Sequence, residues 1–274
     1  MKTAACAACA AACTVPGRVE AGPSPVLSDP RFVREASYWK RLEGGRVECG
    51  LCPRSCKTSP GERGTCGVRE NRGGTYHTLV WGRPCTINVD PIEKKPMFHF
   101  RPGTRTFSLA TAGCNMDCRF CQNWEISRAK PEQLGAVFTG PREIVEQART
   151  AGAASIAFTY SEPVVSTEYA LAIAEAGREA GLPGITITNG YIRGKPHSDL
   201  LKVLGAVKID FKGFTEEFYK KTCSGELKPV LESMERVAKA GVWLEIVHLT
   251  IPSLNDSEAE IKGLASWIRD HLGA

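Results

Sequence analysis

From Thr106 onward, short runs of apolar and β-branched residues alternate with longer stretches in which apolar positions recur every three or four residues. That alternation predicts repeated strand–helix units around a parallel sheet. The strands are expected at residues 107–111, 155–159, 184–188, 207–211 and 243–251. Pro141 suits the first position of a helix that Gly152 would stop, and Gly181 would end the Ala-rich helix that follows Pro163. Right-handed crossovers then give an open, curved sheet with helices outside. A closed eight-stranded barrel takes about 250 residues and eight such units, more than remain after Gly103, so the expected α/β fold is a partial barrel. The last amphipathic helix, residues 257–271, runs almost to Ala274, so the expected barrel lacks its final strand.

Upstream the pattern changes. Residues 1–30 begin as an Ala/Cys tract carrying Cys6, Cys9 and Cys13 and continue as a Pro/Gly-rich stretch. This segment reads as a low-complexity tail, too short and too poor in Leu and Val for a membrane span or a signal peptide. Residues 31–103 form a cysteine-rich module and a connector, and residues 104–274 the barrel. Residues 76–82 look like a strand. Pro91 and Pro96 exclude a helix interior over 88–100, which is expected to lie extended against the main domain.

At 274 residues, 42% hydrophobic and 24% charged, the chain has room for one large domain and a small accessory one. Its net charge of +5 is spread among acidic residues without a basic stripe, which argues against a nucleic-acid substrate. Twelve cysteines in so long a chain do not read as a secreted disulfide framework. Their clustering at gaps of two and three residues reads as metal or cluster ligation, which needs a reducing compartment, so a cytoplasmic location is expected.

The sharpest chemical signal is Cys114-Asn-Met-Asp-Cys118-Arg-Phe-Cys121, three thiols on the loop that leaves the first barrel strand. A 4Fe-4S cluster held by three cysteines keeps one iron open to a small molecule, whereas four-cysteine ligation mainly stores and relays electrons. Tetrahedral zinc with a borrowed ligand, or cysteines packed as small hydrophobes, are the competing readings. A second group, Cys49, Cys52, Cys56 and Cys66, suffices for one closed site, either structural zinc or a further iron-sulfur cluster. His77 and His99 have no second ligand at a telling spacing and read as packed or surface residues.

The C-x3-C-x2-C loop, with Phe120 before its third cysteine, resembles the signature of the radical S-adenosylmethionine (SAM) superfamily. Three further features narrow the resemblance: the four-cysteine module, the string Asp90-Pro-Ile-Glu-Lys-Lys-Pro-Met-Phe-His-Phe-Arg-Pro-Gly, and Cys121-Gln-Asn-Trp-Glu-Ile-Ser. Together they resemble the AmmeMemoRadiSam-system radical SAM enzymes, relatives of the pyruvate formate-lyase activating enzymes, over roughly residue 31 to the end. The resemblance implies a partial (β/α)6 barrel, a 4Fe-4S cluster on Cys114, Cys118 and Cys121, and SAM, which is cleaved reductively to a 5′-deoxyadenosyl radical that abstracts hydrogen. It also implies association with Memo-like and AMMECR-type proteins and an external one-electron donor such as flavodoxin or ferredoxin.

The same resemblance assigns cofactor-binding roles. Tyr160-Ser-Glu162-Pro163 stands where related enzymes carry Gly-Gly-Glu-Pro, so Glu162 would bind the SAM amino group, while the loss of two glycines alters the turn; as a plain structural residue Glu162 would cap the next helix. Thr188 and Asn189 match the end of an Asp-Thr-Asn-Gly turn, with Ile187 in place of the aspartate, and would hydrogen-bond the ribose or methionine; otherwise they form an ordinary strand-end turn. Asp210 and Lys212 fall on one side of the fourth strand, and Lys212 would meet the SAM carboxylate; otherwise the two form an ion pair. His248 is expected to face the cavity, with Asn255-Asp256 at its opening, unless the histidine is simply core and the loop a helix cap. Phe120 completes the set. Cys223 would relay a radical or merely pack.

Two other functions compete with SAM cleavage for hydrogen abstraction. One is installation of a glycyl radical on a partner protein. The other is non-catalytic, an iron-sulfur or zinc scaffold.

Overall fold

A computed structural model describes residues 29–273. The expectations placed on Cys6, Cys9 and Cys13 lie outside the described residues.

The N-terminal module is built from short antiparallel strands: β1 (Arg34–Glu35), β2 (Trp39–Arg41), β3 (Val47–Cys49), β4 (Lys57–Thr58), β5 (Arg69–Arg72) and β6 (Thr75–Thr78). They pair as two three-stranded sheets, β1-β6-β5 and β2-β3-β4. Sheets this small need outside support. Here it comes from the fully buried Arg69, whose guanidinium makes a bidentate pair with Glu168 at 2.9 Å and a bond to the Ser37 carbonyl at 2.7 Å.

The main sheet runs β12-β11-β10-β9-β8-β7. Its parallel strands β8 (Arg105–Ala110), β9 (Ser155–Phe158), β10 (Gly184–Thr188), β11 (Leu204–Phe211) and β12 (Trp243–His248) match the five read from the sequence, with β12 ending three residues early. The sixth, β7 (Thr86–Pro91), pairs antiparallel with β8. The segment expected to lie extended against the domain therefore contributes a strand of its own. Pro91 is tolerated because β7 is an edge. Among the described residues the sheet is an open α/β sheet and not a closed barrel.

The helices are α1 (Trp124–Ser127), α2 (Pro141–Thr150), α3 (Thr167–Glu179), α4 (Gly194–Leu201), α5 (Glu216–Phe218), α6 (Leu227–Lys239) and α7 (Glu258–Leu272). The starts and stops follow the sequence: Pro141 opens α2, Gly152 at φ 65° follows it, and the Ser257 hydroxyl accepts from the Glu260 N–H to cap α7. Phe107, Leu109, Ile156, Phe158, Val207, Ile209 and Phe211 form one core with the buried faces of α2, α3, α4 and α6. On the opposite face Ala157, Ile185, Ile187 and Ala206 pack with Ile92, Met97 and Phe100 from the connector. The connector reaches the far edge strand, where the Glu245 carboxylate accepts from the backbone N–H groups of Phe98, His99 and Phe100 at 2.8, 3.2 and 2.9 Å. The Pro-rich string thus fills one end of the concave face and leaves the strands' C-terminal end for chemistry. Among the described residues no helix is long and apolar enough to cross a membrane.

Candidate functional site

The loop carrying Cys114, Cys118 and Cys121 leaves the C-terminal end of β8 and is held from several sides. Gly113 N–H donates to the Ile126 carbonyl at 2.9 Å. The Asn115 amide donates to the Tyr191 carbonyl at 2.7 Å and accepts from the Asn189 amide at 2.9 Å. Asp117 and Arg119 donate their N–H groups to the carbonyls of Cys223 and Thr222, each at 3.0 Å, and Arg54 donates to the Asn115 carbonyl at 2.9 Å. Such a loop presents its thiols with little further ordering to pay.

The sulfurs differ in surroundings. The Met116 N–H donates to Cys114 Sγ at 3.4 Å, and burial raises that thiol's pKa. The Cys223 thiol donates to Cys118 and holds it below the usual cysteine range, with Lys212 adding to the effect. Cys223 itself is fully buried against that loop.

Around the loop stand most of the side chains named from the sequence. Glu162 is 4% exposed. Oε1 of its carboxylate accepts from Thr188 Oγ1 at 2.6 Å and Val164 N at 3.0 Å, and Oε2 from Asn189 N at 2.8 Å. The capping reading is therefore correct, and it coexists with a lone pair left on Oε2. Burial raises the Glu162 pKa against those hydrogen bonds and the nearby Lys212 charge. The Asn189 amide also lies 3.9 Å from Cys114 Sγ. Lys212 sits 5.8 Å from the Phe120 ring centroid; burial opposes its charge, yet Asp210 and the thiols of Cys118 and Cys223 leave its pKa raised.

One alternative and one expectation need correcting. The alternative Asp210–Lys212 ion pair is not formed: Asp210 pairs with Lys208, a buried lysine two residues before it. His248 registers opposite Phe211 and packs 6.1 Å from its ring, on the helix-side face and not on that of Asp210. Asn255 does close the loop after β12, its amide donating to the carbonyls of Lys212 at 2.6 Å and Leu249 at 2.8 Å. His77 bonds its own strand and His99 is exposed beside Glu245.

Sequence reasoning missed the residues that shape the turn before Glu162. Tyr160 takes φ 66°, a backbone conformation natural to glycine, where the related turn carries glycine. Its hydroxyl donates to Asp90, its ring lies 4.0 Å from Lys95 Nζ, and its carbonyl accepts from the Asn123 amide at 2.9 Å. Burial and the adjacent Asp90 push its phenol up to about 12. Lys95 also bonds Asp90 at 2.6 Å. The signal lay in the two quoted strings, since Asp90 and Lys95 belong to one and Asn123 to the other.

Cys49, Cys52, Cys56 and Cys66 line a single pocket with Leu51, Arg69, Tyr76 and Asn115. Burial pushes Cys52 up to about 12 and Cys66 to about 11. Among the described residues no three His, Cys, Asp or Glu side chains gather tightly enough to hold one metal ion.

The family model described as the Radical SAM superfamily matches residues 108–265. An uncharacterised protein of Methanocaldococcus jannaschii is 41% identical over 243 residues, covering 88% of this chain and 72% of that protein. The pyruvate formate-lyase-activating enzyme of Clostridium pasteurianum is 26% identical over 175 residues, covering 62% of this chain and 71% of the enzyme. Among solved structures, a radical SAM methyltransferase from Sphaerobacter thermophilus aligns with a TM-score of 0.49 at 18% identity, covering 63% of this chain and 55% of that one.

Proposed function

The chain belongs to the radical SAM superfamily, and we propose that it is an enzyme that holds a 4Fe-4S cluster on Cys114, Cys118 and Cys121 and uses it on SAM. The observation that carries this reading is the meeting of a pre-held three-thiol loop with Glu162, Thr188, Asn189 and Lys212 at one end of the sheet. The donor set fits the group: three thiols on one loop, one accepting a backbone N–H, with a lysine cation beside them to offset negative charge. When bound, cluster and SAM together supply a one-electron reductive cleavage that yields methionine and a 5′-deoxyadenosyl radical able to abstract hydrogen.

The chain's own part is positional. The free lone pair of Glu162 would accept from the SAM ammonium, and Lys212 would meet its carboxylate. Thr188 and Asn189 hold Glu162 and leave their remaining polar atoms for the methionine or ribose. Phe120, half-buried against Phe218, and the apolar residues around Ile187 would limit water at the site. Asp210, paired with Lys208 on the concave face, stands toward the substrate side. His248 is left out of this set by its register.

Anaerobic reconstitution followed by SAM and dithionite tests the proposal: 5′-deoxyadenosine should form, and Cys118→Ala should abolish it. A non-catalytic scaffold would form none in either protein.

The likeness to a pyruvate formate-lyase-activating enzyme favours a second reading, hydrogen abstraction from a glycyl residue of a partner protein. It predicts a large protein substrate, and a small-molecule substrate would refute it. We further assign the chain to the AmmeMemoRadiSam group on its Asp90–Gly103 and Cys121–Ser127 strings. Memo-like and AMMECR-type proteins are then the partners to test, with a flavodoxin or ferredoxin as donor in the cytoplasm.

A further inference from the structure

We propose that Cys49, Cys52, Cys56 and Cys66 bind a second, fully thiolate-ligated iron-sulfur cluster, which passes single electrons from a low-potential donor protein to the cluster on Cys114, Cys118 and Cys121. The proposal rests on the proposed function for its acceptor and goes beyond it in assigning the second site and its role.

Three observations carry it. First, all four thiols line one pocket, so that each would bind a different iron of a single cluster. Second, the pocket contains buried donors with nothing to bond. Arg69 Nε and the Tyr76 hydroxyl are both without a partner, although both residues line it. Buried polar groups rarely stay unpaired. Thiolate and inorganic sulfide acceptors inside the pocket would satisfy both. Gly64 keeps the room open, since a Cβ there would meet the Tyr76 hydroxyl at 2.7 Å and Cys56 Sγ at 3.5 Å.

Third, the two cysteine groups share a wall. Gly113, the residue before Cys114, sits so close to the module that a Cβ would meet the Cys66 carbonyl oxygen at 2.7 Å and Val68 Cγ1 at 2.6 Å. Asn115 lines the four-cysteine pocket from the other group's own loop and bonds the Asn189 amide that approaches Cys114 Sγ. Arg54, also on the pocket, donates to the Asn115 carbonyl. Zinc has no redox chemistry and would gain nothing from this contact; a redox cluster would. In each transfer the donor protein loses one electron, the module's cluster gains it and then returns to its oxidised state as the second cluster is reduced. No bond is made or broken in the protein.

The test uses anaerobically reconstituted full-length protein. It should hold about eight irons and no zinc, with two reduced-state EPR signals, only one of which responds to SAM. The variant Cys52→Ser/Cys66→Ser should keep about four irons and the SAM-sensitive signal, and should still be reduced by dithionite. Its reduction by reduced flavodoxin should slow at least roughly tenfold. Stoichiometric zinc in the wild type, or unchanged reduction by flavodoxin in the variant, would overturn the relay. Should that variant not fold, Tyr76→Phe serves: it should retain both clusters and lower the midpoint potential of the SAM-insensitive signal alone, because a donor to the cluster sulfurs favours the reduced form. An unmoved potential would count against the site. Failure of the first-loop reading looks different: no signal would respond to SAM while the iron lost in Cys52→Ser/Cys66→Ser remained.

Discussion

The two cysteine groups are made of the same side chain and stand in contrasting surroundings. The loop after β8 places three thiols beside an acid, an amide and a lysine that carry spare hydrogen-bonding capacity, so a ligand can complete the site. The module gathers four thiols against buried Leu51, Val164 and Val165, with the Thr65 N–H on Cys56 Sγ and the unpartnered donors of Arg69 and Tyr76 beside them. The difference teaches that thiol count is the lesser part of the design. What surrounds the sulfurs decides whether a centre takes a substrate or only electrons.

The contrast can be broken most severely at Cys118. Cys118→Ala should remove 5′-deoxyadenosine formation altogether while leaving the module's absorbance in place; equal loss at both centres would mean that they are not separate sites. Next in size is Arg69→Met, which leaves the buried Glu168 carboxylate without its partner and should cost about 3–5 kcal/mol in denaturant unfolding. A smaller loss would mean that the module does not depend on that pair.

Glu162→Gln keeps the shape but removes the charge, and should weaken SAM binding by about 1.5–3 kcal/mol, readable by calorimetry, with the module's spectrum unaltered. Since burial raises the Glu162 pKa, SAM affinity of the unsubstituted protein should also fall as pH is lowered through that raised value, and the Gln variant should lose this dependence. The smallest effect is expected for Tyr160→Phe, which gives up the hydroxyl bond to Asp90 and should cost about 1 kcal/mol of stability. Tyr160→Gly should retain SAM cleavage, because glycine takes φ 66° without strain.

Much of the barrel was legible because buried parallel strands are short apolar runs and Pro and Gly punctuate the helices between them. The exceptions have identifiable causes. Pro91 hid β7, since a strand that tolerates proline must be an edge and edges are decided by neighbours. The two-residue period put Lys208, Asp210 and Lys212 on one side without choosing which lysine Asp210 would bond. Whether His248 faces the cavity depends on its register with β11, which no single strand contains. Glu162, Thr188 and Asn189 were readable as separate turns, but their convergence on one carboxylate was not. Tyr160 was legible only as a missing glycine; the Asp90, Lys95 and Asn123 contacts that hold its backbone come from two distant strings.

The most direct measurement is the EPR spectrum of the dithionite-reduced, anaerobically reconstituted protein with and without SAM, alongside that of Cys118→Ala. The account predicts a cluster signal that shifts on adding SAM and is absent from the variant, because one iron of the cluster on Cys114, Cys118 and Cys121 is open to the methionine end of the molecule. A spectrum indifferent to SAM, or zinc in place of iron at that loop, would contradict it.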